Sequence, residues 1–152
     1  MKKTIYALLG LVTFGLISNT CVGGNITLVP KNSVWKYLDN GTDQGTAWLT
    51  TGFDDSSWLS GAAELGYGDS DEATVVSYGP DANNKYITTY FRKTFNVSSV
   101  SNLKSLLLSI RCDDGAVVYI NGIEASRYNM PAGAITFSTL APGNIGNQFE
   151  LN

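Results

Sequence analysis

Apolar positions along this chain come in short runs, bounded by Gly, Asn, Asp and Pro, and after the first 21 residues none recurs at a sustained 3.6-residue period with helix caps. Val34, Trp35, Tyr37 and Leu38 form the first strand-like cluster, and Thr74 to Tyr78 form a weaker one. The stretch from Tyr86 to Val97 is dense in β-branched and aromatic residues and opens with apolar-polar alternation, which predicts a strand. Leu103 to Arg111 is short and turn-flanked, so its apolar run predicts a buried strand rather than a helix. Ala116 to Ala125 places Asn121-Gly122 between two apolar runs, and both residues tolerate the positive φ of a type I′ hairpin turn. A last strand is expected over Ala134 to Leu140, after the Pro131-Ala132-Gly133 turn. Between these runs lie long polar segments. Asp39 to Asp55 reads as a loop anchored by Trp48 and Phe53, and Gly66 to Lys85 as a surface loop longer than a simple strand connection needs. No internal repeat is visible, and the pattern predicts an all-β sandwich of short strands.

The N-terminus follows a different pattern. Lys2 and Lys3 precede an uncharged apolar stretch from Ile5 to Ile17, the arrangement of a secretory signal peptide over residues 1–21. The stretch falls short of the roughly 20 apolar residues of a membrane span. Two endings fit. Cys21 stands where a lipoprotein signal carries its acylated cysteine, although Ser18 and Thr20 match that approach poorly, and ordinary cleavage between Cys21 and Gly24 is the alternative. Either ending predicts an exported protein, extracellular, periplasmic or at the cell surface, with a membrane contact only through a lipid on Cys21. Residues 22–32 then read as a linker and 33–152 as one domain, for which an apolar fraction of 43% is sufficient.

Composition narrows the chemistry. Without Lys2 and Lys3, eight basic residues face thirteen acidic ones, a net charge of about −5. Nucleic acid and anionic membrane surfaces are poor partners for that charge. The chain has no histidine, so it forms no Ser-His-Asp or Cys-His centre and no His-bearing metal site. Gly66-x-Gly68 lacks the following helix of a nucleotide fold. The two cysteines, Cys21 and Cys112, make no disulfide framework once Cys21 is cleaved or acylated, and Cys112 reads as a small buried strand residue.

Three stretches carry a resemblance, in order along the chain: Phe53-Asp-Asp-Ser-Ser-Trp58, Tyr90-Phe-Arg-Lys-Thr-Phe95 and Asp113-Asp-Gly-Ala-Val-Val-Tyr-Ile-Asn-Gly122. Together they resemble the sugar-binding jelly-roll domain of glycoside hydrolase family 2 and, more widely, the galactose-binding-like β-sandwiches attached to secreted bacterial enzymes. The intervening segment from Gly66 to Lys93 looks more like modules that accompany secreted phosphoesterases and surface proteins. The resemblance spans roughly residues 33 to 140 and implies a jelly roll without catalysis of its own, working beside a catalytic or surface domain. Such domains continue with further strands, so it also implies that the C-terminal strands are missing, with Phe149-Glu-Leu151 beginning a strand and an apolar sheet edge left open.

Candidate residues follow from the long loop. Sugars stack their C–H faces on aromatic rings while carboxylates and amides bind their hydroxyls. Tyr67, Asp69, Asp71, Glu72, Tyr78, Asn83 and Asn84 supply that mixture. The acidic run Asp69-Ser70-Asp71-Glu72 also offers oxygens to Ca²⁺, without the spacing of a known calcium loop; a solvated acidic face is the simpler reading, and no cofactor is expected. Asp54-Asp55-Ser56-Ser57 reads as a capped turn with Trp58 plugging the core edge, and Asp113-Asp114-Gly115 as a tight connection, with Arg111 near enough in sequence to pair with one carboxylate. Trp35, Trp48 and Trp58 read as buried anchors. A glycosidase needs two carboxyl groups at about 5 to 9.5 Å with separated pKa values, and carboxylates on watery loops offer no way to separate them. The expected function is therefore a noncatalytic carbohydrate-associated module, with a purely structural spacer or anchor as the alternative.

Overall fold

The computed structural model describes residues 2–8, 13–20, 24–68, 70–101 and 103–143. Cys21, Asp69 and the segment 144–152, with its expected Phe149 to Leu151 strand start, lie outside them. The described chain is all-β. Its strands are β1 (Lys2–Leu8), β2 (Thr13–Thr20), β3 (Gly24–Val29), β4 (Val34–Leu38), β5 (Leu59–Ala62), β6 (Leu65–Gly66), β7 (Thr74–Val75), β8 (Tyr90–Asn96), β9 (Leu103–Arg111), β10 (Ala116–Ile120) and β11 (Ile123–Tyr128). A single 3₁₀ turn, Ala47–Leu49, is the helical structure among the described residues.

A six-stranded sheet runs β11-β10-β1-β8-β4-β5, a three-stranded sheet β3-β2-β9, and β6 and β7 form a short parallel pair. Alternation along β8 explains how the large sheet is packed. Phe91 and Phe95 point to one face, into a core that also receives Val118 from β10, Trp35 and Tyr37 from β4, and Val29 and Ile110 from the three-stranded sheet. Tyr90 points to the other face, where it packs with Trp48 and Trp58, bordered by Phe53, Tyr119, Ile135 and Phe137. All three tryptophans are buried, as expected of the large aromatics. The segment read as a signal supplies β1 and β2, and the segment read as a linker, residues 22–32, contains β3, whose Val29 is fully buried.

The β10–β11 hairpin forms as the sequence predicts: Ile120 pairs with Ile123, and Asn121 and Gly122 both have positive φ, 52° and 82°. A Cβ on Gly122 would also stand 3.1 Å from the Leu49 carbonyl oxygen, so the turn tip is pressed against the Ala47–Leu49 turn.

Four expectations are corrected. No strand forms over Ala134 to Leu140: Thr139 N–H donates to the Thr136 carbonyl at 3.0 Å and Thr136 N–H to Thr139 Oγ1 at 2.9 Å, so the backbone closes on itself while Ile135 and Phe137 anchor the segment to the outer aromatic cluster. The strand expected from Tyr86 begins only at Tyr90, because Tyr86 N–H donates to the Tyr78 carbonyl at 2.9 Å and the buried Thr88 hydroxyl to the Phe137 carbonyl at 2.6 Å. Only Thr74–Val75 of the Thr74 to Tyr78 run is strand. β9 is less buried than its leucines suggest: Ile110 is fully covered, but Leu106 is 41% exposed.

Candidate functional site

The long loop leaves the large sheet through β6 and is held by β7, which runs parallel to β6 with Leu65 opposite Thr74 and Gly66 opposite Val75. Thr74 Oγ1 donates to the Ala62 carbonyl at 2.9 Å, and Val76, buried at 3% exposure, plugs the loop into the main core. Ser77 N–H donates to Asp39 Oδ2 at 2.6 Å, Gly79 N–H to Ser77 Oγ at 3.1 Å, and Asn83 N–H to Asp81 Oδ1 at 2.8 Å. The loop is thus a built element rather than a slack connection.

Its main product is an aromatic pair. Tyr67 and Tyr78 lie 11 positions apart in sequence, yet their ring centroids are 5.1 Å apart at 62°, and Lys85 Nζ sits 4.7 Å from the Tyr67 ring centre and 5.3 Å from that of Tyr78. Tyr67 is half-buried against the main core, while Tyr78 is 37% exposed. Burial pushes the Tyr67 phenol above its ordinary value, helped by the negative charges of Asp114 and Asp113. An edge-to-face ring pair under an ammonium is a compact surface for cation–π and C–H stacking contacts.

The other sequence candidates divide. Asn83 and Asn84 are exposed on the same loop, in the turn that Asp81 organises through its side chain and carbonyl. Glu72 is partly buried. Asp71 is drawn elsewhere: its Oδ2 lies 3.4 Å from Arg111 Nη1, which also holds Glu64 Oε2 at 2.8 Å. Among the described residues, Arg111 thus forms ion pairs with Glu64 and Asp71. That arrangement borders a cavity of about 390 Å³ lined by Lys31, Asn32, Ala62, Ala63, Glu64, Asp71 and Ala73. Burial raises the Glu64 carboxyl above its ordinary value, opposed by the Arg111 charge and hydrogen bond. Glu64 carries no signal in the sequence, where it is one acidic residue in an apolar segment. Among the described residues no group of three metal-ligating side chains converges.

Arg92 and Asp55 were also invisible as partners. Arg92, 3% exposed, donates from Nε to Asp55 Oδ2 at 2.8 Å and from its terminal nitrogens to the carbonyls of Trp48 and Thr50, with Phe53 beneath the guanidinium at 5.0 Å. Two of the three stretches that carry the resemblance are therefore joined by an ion pair between a buried arginine and a partly exposed aspartate. Asp54 keeps the expected turn role, its side chain accepting from Ser56 N–H at 3.0 Å, and the Asp55 carbonyl accepts from Trp58 N–H at 3.1 Å. Beside this pair, Trp48, Leu49, Tyr90, Tyr119, Ile135 and Phe137 line a second cavity of about 220 Å³.

Cys112 is buried, and its thiol is pushed up to about 11, first by burial and then by Asp113 and Asp114. A thiol at that value is not a nucleophile near neutral pH.

The fold and these clusters define an all-β protein with an ordered aromatic loop. No family model, no curated protein and no solved structure matches the chain.

Proposed function

We propose that this chain is a noncatalytic, carbohydrate-associated binding module of an exported bacterial protein, built as a galactose-binding-like jelly-roll sandwich. Two sheets sharing one core support the sandwich reading. The observation that carries the binding reading is the Tyr67–Tyr78 pair under Lys85, gathered by a hydrogen-bonded loop that also exposes Asn83 and Asn84. Tyr78 offers the accessible ring, Lys85 a donor to sugar hydroxyls, and the two amides further donors and acceptors. The absence of histidine and the inert Cys112 thiol support a role without chemistry of its own. A glycan is the partner, and a catalytic or surface domain the associate; neither a metal nor another cofactor is required.

Glycan-array screening followed by titration calorimetry tests the reading. The intact chain binds a glycan, and Tyr78→Ala lowers the affinity at least ten-fold with the melting temperature unchanged. Binding unaffected by Tyr78→Ala and by Lys85→Ala moves the site off this loop.

The alternative is a structural spacer or anchor. Lys85 already covers both rings, and Asp71 is committed to Arg111, so part of the loop's polar equipment serves the fold itself. A chain that binds nothing on the array, yet stabilises a neighbouring domain, favours that reading.

A further inference from the structure

The outer face of the large sheet carries a cavity of about 220 Å³ that the glycan reading does not use. Its most buried lining residues are Tyr90 of β8 and Trp48 of the 3₁₀ turn, 2% and 3% exposed. Tyr119 of β10 and Phe137, from the irregular segment that replaces the expected last strand, complete an aromatic lining. The lining is held in place from the backbone: the Thr88 hydroxyl donates to the Phe137 carbonyl at 2.6 Å, and Gln44 N–H donates to the Tyr90 hydroxyl at 3.2 Å. The Trp48 ring meets Tyr90 at 70° with centroids 4.9 Å apart, and Tyr119 at 83° with centroids 6.0 Å apart, so the three rings cross rather than stack. Drug-sized ligands occupy about 300–1,000 Å³, so this space takes a headgroup rather than a larger molecule.

Most polar atoms around the cavity are already spent on the fold. Trp48 Nε1–H donates to the Gly45 carbonyl at 3.1 Å, and Thr136 directs both its N–H, at 2.9 Å, and its Oγ1, at 3.1 Å, to Thr139 Oγ1. A sugar ring, which asks for a partner at each hydroxyl, finds few here. One charge remains. Asp43 lines the cavity and is exposed; its Oδ1 accepts Gly45 N–H at 2.8 Å, and among the described residues its carboxylate forms no ion pair. Burial raises the Tyr90 phenol above its ordinary value against the Gln44 hydrogen bond, and the Asp43 charge adds to the rise, which sets that charge close to the ring. The two arginines that reach this cluster are taken: Arg92, which donates to the Trp48 carbonyl, by Asp55 at 2.8 Å, and Arg127, whose charge acts on Tyr119, by Glu124 at 2.7 Å.

We infer that this cavity binds a quaternary ammonium group. Such a group spreads a positive charge over its methyl hydrogens and has no N–H to satisfy, so it asks for aromatic surface and a nearby anion rather than for free acceptors. Trp48, Tyr90, Tyr119 and Phe137 supply the first and Asp43 the second. A primary ammonium brings three donors and meets one free carboxylate oxygen, so the methylated cation fits better. Thirteen acidic against ten basic residues favour the approach of a cation. The site is separate from the Tyr67–Tyr78 pair, since Tyr67 packs against the inner core, and it stands or falls independently of the glycan reading.

The test is titration of the ¹⁵N-labelled full chain with choline chloride at constant ionic strength, beside 3,3-dimethylbutan-1-ol, its uncharged isostere with carbon in place of nitrogen. Choline is expected to give saturable shifts at the Trp48 indole N–H and the Tyr119 and Phe137 amides, and to bind roughly ten-fold or more tightly than the isostere. Asp43→Asn keeps an acceptor for the Gly45 N–H and removes the charge; it weakens choline roughly two- to five-fold, the scale of an exposed ion pair, and leaves the isostere unchanged. Phosphatidylcholine vesicles distinguish the source: retention of the chain on them, competed by free choline, assigns the group to a lipid headgroup, and choline binding without retention assigns it to a free compound. Equal affinity for choline and its isostere would overturn the cation. No saturable shift at the cavity with choline, or choline shifts confined to Tyr67, Tyr78 and Lys85, would overturn the site.

Discussion

Removing the Asp55 carboxylate tests the packing logic most sharply, because it takes an acidic partner from a buried cation. Arg92 is 3% exposed and the Asp55 side chain 27%, so Asp55→Ala removes the carboxylate that a buried guanidinium holds at 2.8 Å, while its contacts to the Trp48 and Thr50 carbonyls stay. Breaking a fully buried pair by deleting one partner costs about 3–5 kcal/mol. A single hydrogen bond to a charged group contributes about 1.5–3 kcal/mol. Asp55 is partly open to water, which can enter and solvate the vacated side, so the lower range applies and the expected loss is about 2 kcal/mol. For a domain of this size that corresponds to a melting-temperature fall of about 6–10 °C. The assay is thermal unfolding followed by circular dichroism, with Asp54→Ala as control, since Asp54 only accepts the Ser56 N–H at an exposed turn. An Asp55→Ala fall no larger than that of Asp54→Ala would refute the buried-pair argument.

Gly122→Val forces a β-branched residue into a φ of 82° and brings a Cβ within 3.1 Å of the Leu49 carbonyl oxygen, so a loss of about 2–3 kcal/mol is expected in urea unfolding. Cys112, with its thiol at about 11, stays unmodified by iodoacetamide at pH 8 until the chain unfolds, which mass spectrometry of native and denatured samples reads directly. Glu64 has its folded-state pKa raised above 4.5, so the protonated form is the one the fold favours: its contribution is fully present below about 4.5 and is lost as pH rises through the folded value. Denaturant melts of the wild type should therefore lose stability relative to Glu64→Gln between pH 4.5 and neutrality; a difference independent of pH would count against the shift.

What the sequence made legible was mostly local. The Asn121-Gly122 turn is written in two adjacent residues whose φ preferences allow little else, and β4 and β9 lie where their apolar runs place them. The Ala134 to Leu140 segment misled because Ile135 and Phe137 alternate as a strand would. Their spacing serves an irregular anchor, and the Thr136 to Thr139 hydrogen bonds that stop the strand have no periodic signature. The pairings that build the clusters are long-range. Arg92 finds Asp55 across 37 positions and Arg111 finds Glu64 across 47, and in both cases the sequence offered a nearer, equally charged alternative. Tyr67 and Tyr78 were legible as aromatic residues on one loop, but their edge-to-face contact depends on the parallel β6–β7 pairing, which two-residue strands do not announce. The ligand itself leaves no pattern in a chain whose polar loop residues also serve its turns.

The binding proposal is tested most directly by mapping a ligand onto the loop. In a ¹H–¹⁵N correlation spectrum of the labelled chain, titrated with the best ligand from the glycan array, the account predicts saturable shifts concentrated at Tyr67, Tyr78, Asn83, Asn84 and Lys85. Shifts confined to the cavity of Trp48, Tyr119 and Phe137, or no saturable shift with any glycan, would contradict it.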